Sequence, residues 1–145
     1  MDKEIIHKEI DLIQACISRM ANNSFLLKGW AITIIAVGLA LTDKAPDQAA
    51  ISTIVLIPLF CFWFLDAFFL RTEKMYREMY KWVLEKRSED DKTLLYDLNP
   101  TRFNDQVDPL WKVMVSITLR WFYGIPTLIT VGLIVTRFVR SCLIE

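Results

Sequence analysis

Three stretches of this chain stay apolar long enough to cross a bilayer, which takes about 20 residues of helix. Ser24 to Thr42 is broken only by Lys28, Gln48 to Leu70 only by Asp66, and Val113 to Thr136 only by Arg120. Between and before them the pattern changes to helical amphipathicity. Ile6, Ile10, Ile13, Ile17 and Met20 recur at alternating spacings of four and three, with Lys3, Glu4, Lys8, Asp11 and Arg19 off the stripe. That spacing lines one helix face and makes a seam of coiled-coil type. Two heptads do not hold an isolated coiled coil in water, so the seam needs a partner from the same protein or from another copy. Packing of this kind is the leading reading, and a helix lying on a membrane surface is the alternative.

A matching stripe, Thr72, Met75, Tyr76, Met79, Trp82 and Val83, continues the second apolar stretch. No Gly or Pro intervenes between Pro58 and Arg87. One long helix is therefore expected, projecting roughly 25 Å past Arg71 at 1.5 Å per residue, ending at the polar run Ser88-Glu89-Asp90-Asp91. The N-terminal stripe is its nearest candidate partner. Residues 92–107 read as a compact loop around the turn signal Asn99-Pro100. Asp108-Pro109 reads as a helix N-cap followed by proline in the first turn, feeding directly into the third span. The predicted fold is an all-α integral membrane protein of three transmembrane helices with amphipathic cytoplasmic helices. Its segments are an amphipathic helix at 1–23, spans at 24–42, 48–70 and 113–137, a helical stalk and loop at 71–112, and a tail at 138–145.

Orientation follows from the basic residues, which are retained on the cytoplasmic side. Four lie in the segment ending at Lys28 and ten between Arg71 and Arg120, against Lys44, Arg137 and Arg140 on the other side. The N-terminus and stalk are expected in the cytoplasm and the C-terminus outside. More than twenty amphipathic residues precede the first span, which does not suit a cleaved signal peptide. For the third span a buried core helix is the competing reading, because its uncharged part, Trp121 to Thr136, is only sixteen residues long and contains Gly124 and Pro126.

With that orientation Lys28, Asp66 and Arg120 fall at one level near the cytoplasmic face. A lone carboxylate there is costly, so Asp66 is expected to bond Lys28 or Arg120 as a structural ion pair, with an ion or proton pathway as the alternative. Trp30, Trp63 and Trp121 are expected as aromatics of the interface belt. On the first span Gly29, Thr33, Ala36 and Ala40 form a small-residue stripe of the kind that lets membrane helices approach closely. Together with the seam residues, Met75, Met79 and Trp82 included, the stripe suggests self-association.

Composition narrows the function classes. Hydrophobic residues make up 54% of the 145, above the soluble average, yet 17 Lys and Arg balance 17 Asp and Glu. Cys16, Cys61 and Cys142 are far apart, and His7 is the sole histidine. No disulfide or zinc framework is expected, and no metal, cofactor or catalytic residue is assigned. An enzyme would need a convergent reactive set, which the chain does not display. The ten basic residues of the central segment face nine acidic ones from Glu73 to Asp108, so nucleic acid is not an expected partner. The expected partners are the lipid bilayer, further copies of the chain, and a cytoplasmic protein.

The runs Ile17-Ser-Arg-Met-Ala-Asn-Asn-Ser-Phe-Leu-Leu-Lys-Gly-Trp30 and Phe62-Trp-Phe-Leu-Asp-Ala-Phe-Phe-Leu-Arg-Thr-Glu73 are more distinctive than a generic membrane helix. Over residues 5–86 the chain resembles small bacterial inner-membrane proteins with an Asn-Ser-Phe/Lys-Gly-Trp signature, connected to the RipA-like oligomeric membrane proteins. The resemblance implies a ring or other homo-oligomer in a bacterial inner membrane, linked to stress, host interaction or defence. Two functional expectations follow: a non-enzymatic homo-oligomeric effector or channel-like assembly, or a membrane-anchored adaptor whose helical collar docks a cytoplasmic protein.

Overall fold

A computed structural model describes the backbone of residues 3–42 and 48–144, and side chains within 3–41 and 53–136 together with Val139. The expected turn at Asp43 to Asp47 lies outside the described residues. Helix α1 runs unbroken over Lys3–Thr42 and α2 over Gln48–Ser88. A short 3-10 turn occupies Pro100–Gln106, α3 is a single turn and a half at Leu110–Met114, and α4 covers Ile117–Ile144. No strand occurs among the described residues, and three helices are long and apolar enough to cross a membrane.

The amphipathic and apolar parts of the first helix are thus one element. Nothing in residues 20–24 breaks it, since Ala21, Asn22, Asn23 and Ser24 remove no backbone donor and force no unusual dihedral. α1 and α2 are antiparallel along their length, pairing the level of Glu9 with Arg87 and that of Lys28 with Asp66. Two cores follow. In the head, Ile13 and Cys16 of α1 pack with Met75, Tyr76, Met79 and Val83 of α2, capped by Phe103 from the 3-10 turn. In the apolar half, Ala31, Leu59 and Ala67 pack with Val113, Leu119 and Tyr123.

Two departures from the expected boundaries have local causes. The helix entering the third apolar section does not run through. Pro109 is its N-cap, in extended conformation and without a side-chain cap bond, and the helix stops at Met114 before restarting at Ile117. Val115 and Ser116 form the joint, and the indole N–H of Trp63 donates to the Met114 carbonyl at 2.9 Å, satisfying an acceptor released by the break. Asp108 accepts from Lys112 instead of capping the helix. At the other end α4 continues to Ile144, where a separate tail from residue 138 was expected. Pro126 lies inside α4 without ending it; hydroxyls of Thr127 and Thr130 donate to the carbonyls of Tyr123 and Pro126, four residues back.

Candidate functional site

The polar centre of the apolar half is built on Asp66, which is fully buried. Ser24 and Lys28 stand four residues apart on α1 and so share one face. Ser24 Oγ donates to Asp66 Oδ1 at 2.5 Å, and Lys28 Nζ donates to the same oxygen at 2.9 Å and lies 2.6 Å from Oδ2. From α4 the Tyr123 hydroxyl donates to Oδ2 at 3.1 Å. Lys28 also donates to Ser24 Oγ at 2.8 Å. Both carboxylate oxygens are therefore occupied, and this one side chain of α2 is bonded by groups from the other two long helices, α1 and α4. Close approach is possible because Ala31 and Ala67, both fully buried, leave little bulk between the backbones. The Tyr123 ring is held by stacking on Trp63, 6.0 Å between centroids and 9° from parallel.

Arg120, the other expected partner of Asp66, is not in this cluster. It lies exposed with its guanidinium carbon 5.8 Å over the Trp121 ring. The reason is helical phase. Leu119 and Tyr123, four apart, point into the bundle, which turns the position one residue after Leu119 outward. Tyr123, which the sequence did not single out as a partner of Asp66, takes the place expected of Arg120. Ser24, read as the first residue of a span, supplies a second hydroxyl. A hydroxyl four residues before the only lysine of an apolar run is the signal that could have found it.

A second buried ion pair closes the far end of the head. Arg87 and Glu9 meet in a two-pronged arrangement, Nε to Oε2 at 2.8 Å and Nη2 to Oε1 at 2.9 Å, each side chain 2% exposed. Arg87 Nη1 also donates to the carbonyls of Asp91 and Thr93, while the Tyr96 N–H donates to Glu9 Oε1 at 3.1 Å. The loop this latch holds has left-handed backbone at Asp90, Leu94 and Tyr96, an unfavourable region for residues with a Cβ. Burial works to raise the Glu9 carboxyl, but the Arg87 guanidinium and the Tyr96 amide outweigh it and hold the group below its ordinary range. Glu9 in turn raises Arg87. Glu9 and Arg87 went unread as a pair, although each is a charge four residues from a seam position, Ile13 and Val83.

The seam is occupied within the chain itself. Ile13, Met75 and Met79 are buried, while Ile6, Ile10, Ile17, Met20 and Trp82 are half-buried. The small-residue stripe is placed differently: Gly29, Thr33, Ala36 and Ala40 are all exposed, and Thr33 Oγ1 donates back to the Gly29 carbonyl. The intramolecular contacts fall instead on Ala31 and Gly38, because the face that meets α2 is set by Ser24 and Lys28, about two turns and one turn before Ala31. A Cβ on Gly38 would collide with Val55 Cγ2. Among the expected belt aromatics Trp30 and Trp121 are exposed, whereas Trp63 turns inward to Tyr123 and Met114.

On one flank of the head an open groove of about 810 Å³ lies between α1, α2 and the segment 106–108, lined in part by Gln14, Ile17, Ser18, Arg77, Tyr80 and Val107. Among the described residues no three His, Cys, Asp or Glu side chains converge as a metal site. Comparison with protein families, curated proteins and solved structures finds no matching family model, no matching protein and no matching structure.

Proposed function

We propose that this chain is a non-enzymatic, membrane-anchored adaptor, with three spans as the anchor and the helical head as a docking module for a cytoplasmic protein. The head belongs on the cytoplasmic side and the C-terminus on the other, on the strength of the basic residues in the N-terminal and central segments. The observation that carries the reading is the self-contained head. Its seam is filled, its distal end is latched by Glu9 and Arg87, and an open groove remains on its flank. A rigid, closed head presents a surface to a partner without first having to fold. The filled bonding capacity of Asp66 argues in the same direction, because a carboxylate engaged by Ser24, Lys28 and Tyr123 has no place left for a passing ion.

The test is a photo-crosslinking amino acid at Ser18, in the groove, compared with one at Leu12 outside its lining. One defined adduct from Ser18 and none from Leu12 is expected. Stimulus-dependent ion conductance by the purified protein in liposomes would overturn the adaptor in favour of a channel-like assembly.

A homo-oligomer is the second reading, favoured by the outward placement of Gly29, Thr33, Ala36 and Ala40. Replacing Gly29 and Ala36 by Leu should then lower the native mass in detergent while leaving the protomer fold intact. A wild-type mass equal to one chain removes this reading.

A further inference from the structure

Charge is distributed unevenly over a head that is close to neutral. Its base, residues 12–28, 66–80 and 98–120, carries eight Lys and Arg against five Asp and Glu. The distal part, residues 3–11 and 81–97, carries six against eight. The excess at the base is not cancelled by ion pairs. Among the described residues Arg19 bonds only the Cys16 sulfur, Arg71 bonds the Asn104 side chain and the carbonyls of Asn104 and Asp108, and Arg120 meets only the Trp121 ring. Lys74 and Lys112 share the single carboxylate of Asp108.

On α4, Ile117, Arg120 and Trp121 are three and four residues apart and so lie on one face, where Ile117 is 72% and Trp121 59% exposed. Trp111, 67% exposed, stands on the short helix just before it. An outward arginine above an outward tryptophan, with bare aliphatic surface beside it, suits the layer where acyl chains meet headgroups. Resting on the membrane-spanning reading, we propose that the base of the head is a collar for anionic phospholipid, in which the Arg120 guanidinium bonds the lipid phosphate and Trp121 and Ile117 contact the upper acyl chain. Arginine suits this role because its planar fork bonds two phosphate oxygens at once. The remaining uncompensated cations of the base add the long-range attraction that favours an anionic over a zwitterionic headgroup.

The test uses full-length protein titrated in detergent with phosphatidylglycerol or phosphatidylcholine, the bound lipid being counted by native mass spectrometry. Wild type should retain phosphatidylglycerol preferentially, and Arg120→Gln should weaken that retention about fivefold, the effect of one charge at an anionic surface. Arg120→Lys should restore part of it, and Lys86→Gln at the distal end should change nothing. Equal retention of the two lipids by wild type, or unchanged retention by Arg120→Gln, overturns the collar. Displacement of the lipid by 50 mM inorganic phosphate would assign the site to a soluble anion and overturn it equally. Carbonate extraction of native membranes separates the two failures: a protein released by carbonate does not span the bilayer, whereas one that stays embedded without lipid preference lacks only the collar.

Discussion

A carboxyl group carried into an apolar bundle must have its bonding capacity filled, and at Asp66 three side chains do this. Asp66→Ala strands the Lys28 ammonium beside Ser24 and should cost on the order of 3 to 5 kcal/mol if water is kept out, and less if it enters. Lys28→Ala should be comparably damaging, since the outward Arg120 cannot replace it. Arg120→Ala should leave the fold nearly untouched. Unfolding of the three variants in detergent, followed by circular dichroism, checks the order; a Lys28→Ala protein as stable as wild type would show that the pair contributes little. Lys28 and Asp66 were legible in the sequence, because a single charge in each apolar run asks for a partner. Which other groups answer was decided by helical phase, and it selected Tyr123 over Arg120.

Along the helices, two further contacts join α1 to α2 besides the charged centre and the head seam. Gly38 is the first. Gly38→Ala should force α1 away from Val55 and destabilise the hairpin by about 1 to 3 kcal/mol, and Val55→Ala should recover most of that loss in the same melting assay. The Glu9–Arg87 latch is the second, and it is sensitive to acid. Because the folded state holds the Glu9 carboxyl below its ordinary value, the stabilisation it brings is complete above that value and is lost as pH falls through the lowered one. The ordinary value of a glutamate carboxyl is about 4.5, so loosening of the head should set in only below about that pH. Glu9→Gln should be less stable than wild type at pH 7 and should lose this part of the acid dependence. Amide exchange over residues 91–96, corrected for the intrinsic effect of pH, reads the change directly.

For the molecule as a whole, the filled seam separates the stability of the head from that of the apolar half. Replacing Ile13 and Ile17 by Lys places charge against Met75, Met79 and Phe103, so the head should open and become protease-sensitive while the protein stays in the membrane fraction. If the double variant keeps a protease-resistant head, the packing of α1 on α2 is not what holds it together. The sequence by itself determined the three long apolar helices, the amphipathic stripes of residues 6–20 and 72–83, and the charges isolated at Lys28, Asp66 and Arg120, because each depends only on local periodicity and on the cost of polar groups in an apolar run. Tertiary structure decided that the small residues Gly29, Thr33, Ala36 and Ala40 face outward, and that Arg120 stands on Trp121 while Tyr123 turns to Asp66. Those outcomes depend on the azimuth of each helix, and azimuth is set by contacts between residues dozens of positions apart, which no single periodicity encodes.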